Sequence, residues 1–145
     1  MAFDLPGFDI DAFVHATLAE DLGPTGRDVT SESVIPADMR FAGVMDSRDP
    51  IVVAGLPIAA AFFRHLDPEM EIEVLAHEGH GVEAGTDLMR IRGKARAMLT
   101  AERSALNTVQ HLSGIATMTR RYVIAIRGTG CTLLDTRKTI PGLRI

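Results

Sequence analysis

The sequence predicts an α+β protein, and three observations carry that reading. Residues Glu69 to Val74 alternate acidic and apolar side chains strictly, and residues Ile10 to Leu22 place apolar side chains at steps of three and four. The elements then follow the order helix, strands, helix, strands over roughly the first hundred residues, which is the pattern of a sandwich of helices on a sheet. With 46% apolar and 23% charged residues among 145, the chain can bury one core, enough for one domain and part of another.

Each element has a local justification. Phe13, Val14, Ala16, Leu18 and Leu22 form the apolar face of a first helix that Gly23-Pro24 ends. Gly26 to Ser31 is rich in turn and capping types and leads through Val34-Ile35-Pro36 to a strand over Arg40 to Met45. Ile51-Val52-Val53 is a β-branched run, and Pro57 opens a helix over Ile58 to Leu66. The alternation at 69–74 puts Met70, Ile72 and Val74 on a core and Glu69, Glu71 and Glu73 in water, as in a half-buried antiparallel strand. Gly79, Gly81 and Gly85 mark turns. Leu88 to Gly93 and Ala95 to Leu99 read as two further short strands.

Thr100 is placed to cap a long helix from Ala101, with Glu102 in its first turn. Ser113-Gly114 is expected to kink it, and Gly128 to Gly130 to stop it before a buried strand, Cys131 to Leu134. A helix feeding a buried strand opens a β/α unit.

The strongest functional signal lies there. In Leu133-Leu134-Asp135-Thr136-Arg137-Lys138-Thr139-Ile140-Pro141-Gly142-Leu143-Arg144, an apolar strand emerges into an acid and two adjacent cations. Reactive side chains of α/β barrels sit at such carboxyl ends of strands. Arg137 offers a planar fork for carboxylate or phosphate, Lys138 a mobile point charge, and Thr136 and Thr139 hydroxyls, so the cluster reads as an anion site.

Other motifs read as structural. His77-Glu78-Gly79-His80 lacks a third or fourth metal ligand and reads as a polar turn. Glu69, Glu71 and Glu73 have the period of a solvated strand face, and Gly128-Thr129-Gly130 lacks the third glycine of a dinucleotide loop. Cys131, the single cysteine, reads as a buried structural thiol suited to a reducing cytoplasm. A net charge of -4 gives no basic field for nucleic acid, and no segment reaches the roughly 18 apolar residues of a membrane span. A soluble, cytoplasmic protein with no leader is expected. From spacing alone Arg103 is a solvated surface charge.

Three stretches in order change that last reading: Ala101-Glu102-Arg103-Ser104-Ala105-Leu106-Asn107, then Leu112-Ser113-Gly114-Ile115-Ala116-Thr117, then Leu134-Asp135-Thr136-Arg137-Lys138-Thr139. Together with Ala19-Glu20-Asp21-Leu22-Gly23 and Asp28-Val29-Thr30-Ser31, they resemble the quinolinate phosphoribosyltransferases over essentially the whole chain. The resemblance implies an amino-terminal α/β sandwich over 1–112 followed, over 113–145, by the first strand of a truncated α/β barrel. It implies condensation of quinolinate with phosphoribosyl pyrophosphate to nicotinate mononucleotide, pyrophosphate and carbon dioxide, with magnesium, in a site shared across a homodimer. Thr136, Arg137 and Lys138 would bind quinolinate, and Arg103 would reach into the neighbouring subunit's site.

The family's later barrel strands, with their acidic magnesium and ribose-phosphate ligands, have no counterpart here. Only 15 residues follow Gly130, whereas such a barrel needs on the order of 200. The expectation is therefore a fragment that is not competent alone, with no catalytic residue and no metal ligand of its own. Two alternatives stay open: a paralogue with the same motifs and another substrate, such as the molybdenum-transport-associated homologue, and a non-catalytic dimerisation domain.

Overall fold

The computed structural model describes residues 6–136, 138 and 139. Asp9 opens helix α1 (Ile10–Leu22) by accepting a hydrogen bond from Ala12 N–H at 2.9 Å, and the helix buries Val14 and Leu18 one turn apart. Gly23, at φ +63°, ends it, and a 3-10 turn over Gly23–Thr25 follows. The cap-rich segment after it forms a short helix that the sequence reading did not separate, α2 (Val29–Val34), whose first turn is held by Asp28.

Strand β1 (Arg40–Asp46) leads to β2 (Ile51–Val52), helix α3 (Leu56–Leu66), and strands β3 (Glu71–Val74), β4 (Gly81–Val82) and β5 (Asp87–Lys94). The main sheet is antiparallel in the order β1-β5-β3, and β2 pairs with β4 in a small second sheet. Gly81, expected at a turn, instead lies in β4.

Across the main sheet Glu73, Arg90 and Val44 are in register, as are Ile72, Ile91 and Gly43. The first row faces water, where Arg90 pairs with Glu73 at 3.4 Å; the second row lies on the face that carries the core. The alternation expected for β3 therefore holds for Glu71, Ile72 and Glu73. Val74 is a correction: it is opposite Met89 on the inner face, but at the edge strand it remains 48% exposed.

The core joins the inner faces of β1 and β5, through Met45, Met89 and Ile91, to Phe62 and Phe63 of α3. Its second wall is helix α4, which runs from Ala95 to Ala125. Three expectations fail at this helix. Ala95 to Leu99 is helix rather than strand: Ala, Arg, Met and Leu are strong helix formers, and burial at Ala95, Met98, Ala101 and Ala105 follows the helical period. Thr100 and Glu102 therefore sit inside the helix rather than at its start. The helix is not interrupted at Ser113-Gly114, and the Ser113 hydroxyl bonds instead to the Ala54 backbone in the segment between β2 and α3.

Gly128 and Gly130, both with positive φ, turn the chain after α4 as expected. Cys131 to Thr136 form no strand, and Cys131 is exposed rather than buried. Leu134 is 76% exposed. A single apolar stretch with no strand beside it has no ladder to complete and no second face to bury, so the expected strand does not form here.

Candidate anion-binding cleft

The segment that ends α1 and starts α2 lies against the middle of α4, and a cleft of about 690 Å³ opens between them. Asp21, Thr25, Arg27 and Asp28 line one wall; Thr100, Arg103 and Asn107 line the other. Asp28 is the structural pivot of the cleft. Its Oδ1 accepts from Ser31 N–H at 3.0 Å, and its Oδ2 from the Ser31 hydroxyl at 2.6 Å, with the Thr100 hydroxyl 2.9 Å away. These donors, the Ser31 hydroxyl foremost, hold the Asp28 carboxyl below the usual aspartate range.

Arg27 is committed to Glu32, whose carboxyl it also holds below the ordinary range. Arg103 is different. It lies in the third turn of α4, not the first, with its side chain 77% exposed and its Nε 3.5 Å from Asp21 Oδ1. Among the described residues no hydrogen bond engages its two terminal amino groups, so this face of the guanidinium is open to a planar oxyanion.

The second sequence-predicted cluster falls partly outside the described residues, since Arg137 is one of those left out. Thr136 and Lys138 are exposed, and the Thr136 hydroxyl accepts from Lys138 N–H at 3.2 Å. Neither of them lines the Arg103 cleft, so among the described residues Thr136 and Lys138 are not brought to Arg103. A site using both takes them from different copies or from another arrangement of the carboxyl-terminal segment.

His77 to Gly79 form part of a turn, and His80 Nδ1 lies 3.1 Å from Glu78 O. Among the described residues no three His, Cys, Asp or Glu side chains gather as a metal site. Glu78 does structural work that spacing did not reveal: its carboxylate accepts from the backbone N–H groups of Gly55 and Leu56, at 2.9 and 2.8 Å, and so caps α3 from a distant loop. The described residues therefore offer no ready cage for magnesium. No described helix is long and apolar enough to cross a membrane.

The described residues form an α+β layer whose long helix α4 carries an exposed arginine, followed by an irregular segment that ends in cationic residues of the sequence. The family model described as quinolinate phosphoribosyl transferase, N-terminal domain, matches residues 28–113, and that for the C-terminal domain matches 115–145. The chain belongs to the quinolinate phosphoribosyltransferase family. A probable nicotinate-nucleotide pyrophosphorylase (carboxylating) of Synechocystis is 45% identical over 140 residues, covering 97% of this chain and 46% of that protein. The Mycobacterium leprae nicotinate-nucleotide pyrophosphorylase (carboxylating) is 40% identical over 133 residues. The crystal structure of NadC from Streptococcus pyogenes superposes with a TM-score of 0.88 at 33% identity, over 98% of this chain and 50% of that one. The chain spans about half the length of the curated relatives it matches.

Proposed function

We propose that this chain acts in a carboxylating nicotinate-nucleotide pyrophosphorylase, joining quinolinate to phosphoribosyl pyrophosphate in NAD biosynthesis. In that reaction the pyridine nitrogen bonds to the anomeric carbon of the sugar and pyrophosphate leaves. The adjacent carboxylate then departs as carbon dioxide, and the ring carbon that bore it takes up a proton. The observation that carries the reading is Arg103, presented on a rigid helix with its amino groups free, in a chain that both domain models of the family match.

A dicarboxylate and a pyrophosphate bring several negative charges that must lose water together, and fixed cations offset their repulsion. Arg103 would hold one quinolinate carboxylate as a bidentate pair. Thr136, Arg137 and Lys138 would take the other part of the substrate, from the partner subunit of a head-to-tail homodimer. That division explains why a single copy leaves the two clusters apart. Residues 1–112 would form the sandwich domain and 113–145 the start of the barrel domain. Magnesium belongs to the family's chemistry and would be held with the phosphates outside the residues assigned here. A cytoplasmic location is part of this reading.

The test is an assay of the native protein that carries these residues, isolated from its source. The expected result is carbon dioxide and nicotinate mononucleotide formed from quinolinate only when phosphoribosyl pyrophosphate is present. A native protein that consumes no quinolinate under those conditions would overturn the reading.

A further inference from the structure

We propose that Asp21 is a positioning residue for Arg103, holding its guanidinium by the Nε side so that the two terminal amino groups face an incoming carboxylate. This rests on the reading of Arg103 as a quinolinate-binding residue. Asp21 Oδ1 lies 3.5 Å from Arg103 Nε, and the aspartate side chain is only 27% exposed against 77% for the arginine. The acid is thus the anchored member of the pair and the arginine the one whose orientation needs fixing.

Of the three other charged groups that line the cleft, Arg27 and Asp28 are committed elsewhere, and Glu102 makes no ion pair among the described residues. Arg27 is engaged by Glu32, and Asp28 by Ser31 and Thr100, while among the described residues Asp21 has Arg103 as its partner. Its location also argues for a role beyond local structure. Asp21 lies in the last turn of α1, which contains no basic residue, so its charge opposes the helix dipole there. A carboxylate at that end is unfavourable for α1 alone and becomes favourable when Arg103 faces it. An arginine gripped along Nε keeps a parallel pair of N–H donors on its other edge, the geometry that binds a carboxylate bidentately.

The experiment places Asp21→Asn, Asp21→Glu, Arg103→Ala and the Asp21→Asn/Arg103→Ala double variant in the native protein and measures KM for each substrate, kcat and the thermal midpoint. Asp21→Asn should raise the KM for quinolinate on the order of fivefold, the scale of one exposed ion pair, with the KM for phosphoribosyl pyrophosphate and the thermal midpoint unchanged. Asp21→Glu should restore most of the loss, and Asp21→Asn should add nothing to Arg103→Ala. If Arg103→Ala weakens quinolinate binding while Asp21→Asn leaves it unchanged or tightens it, the positioning role fails and the Arg103 reading stands. A uniform rise in both KM values with a lowered midpoint would make Asp21 merely structural. No effect of Arg103→Ala would overturn both.

Discussion

Asp67 and Gly93 show how closely individual side chains are fitted. Asp67 is fully buried; its Oδ2 accepts from Lys94 N–H at 3.0 Å and its Oδ1 from Glu69 N–H at 3.2 Å, so one carboxylate ties the end of α3 to the junction of β5 and α4. A Cβ at Gly93 would stand 2.2 Å from Met70 Sδ and 3.0 Å from Asp67 Oδ2. Gly93→Ala should therefore cost about 1–3 kcal/mol through overpacking, read as a lowered urea midpoint with unchanged slope. Both Asp67 and Asp28 have carboxyls held below the ordinary range, Asp67 chiefly by the Lys94 N–H and Asp28 chiefly by the Ser31 hydroxyl. Such groups contribute stability that is complete above the unfolded aspartate value, about 3.9, and lost as pH falls through the folded value. Stability should fall with acid below about pH 4, and Asp67→Asn should flatten that limb while lowering stability at neutral pH. A parallel acid limb in the variant would show that Asp67 is not a source of it.

At the scale of elements, α4 binds a strand through its side chains. Ser113 Oγ donates to Ala54 O at 3.1 Å and accepts from Ala54 N–H at 3.0 Å, and Thr117 Oγ1 accepts from Val52 N–H at 2.8 Å. Thr117 thus adds a partner to β2 at Val52, and Ser113 satisfies both backbone groups of Ala54 in the segment that leads from β2 to α3. Ser113→Ala leaves both part-buried Ala54 groups without this partner and should cost about 1–3 kcal/mol in chemical denaturation. Glu78→Ala should cost about 0.5–2 kcal/mol by uncapping α3, with the loss localised to the amides at its start. Beyond Gly114 the helix changes character: Ile115, Met118, Tyr122, Val123 and Ile124 are all about half exposed, whereas Met98, Ala101, Ala105 and Val109 are buried. Hydrogen exchange on this chain should be slow over 98–113 and faster by at least tenfold beyond 115. Uniform protection along α4 would mean that its far half is covered in solution.

For the whole molecule, the functional prediction depends on two clusters that one copy keeps separate. Arg103→Ala in the native protein should raise the KM for quinolinate more than that for phosphoribosyl pyrophosphate, by about 10- to 100-fold, the scale of one or two charge-assisted hydrogen bonds. Equilibrium binding of quinolinate checks this without turnover. Mixing Arg103→Ala copies with copies altered at Lys138 should restore part of the activity if the site is shared between subunits, because mixed dimers then hold one intact site. No recovery on mixing would place both residues in sites built from a single copy.

Much of this protein follows from its sequence alone. The bounds of α1, the opening of α3 around Pro57 and the two faces of β3 over Glu71 to Glu73 follow from side-chain period and from capping or turn residues, which act over one or two turns of chain. The family was likewise legible, because Arg103 with Ser113 and the Asp135 to Thr139 run form an ordered set of chemically constrained residues. Tertiary structure determined the rest. Ala95 to Leu99 alternates well enough for a strand, yet its helix formers wind as α4 because Ala95, Met98 and Ala101 then meet the core. Thr117 becomes a strand partner, Ser113 a partner of the Ala54 backbone, and Glu78 a helix cap, only because distant segments lie opposite them. Cys131 to Leu134 has the composition of a buried strand but no strand beside it, and burial needs a neighbour that local sequence does not specify. Period and capping act through local backbone geometry, whereas burial and hydrogen-bond satisfaction depend on what folding places opposite each residue.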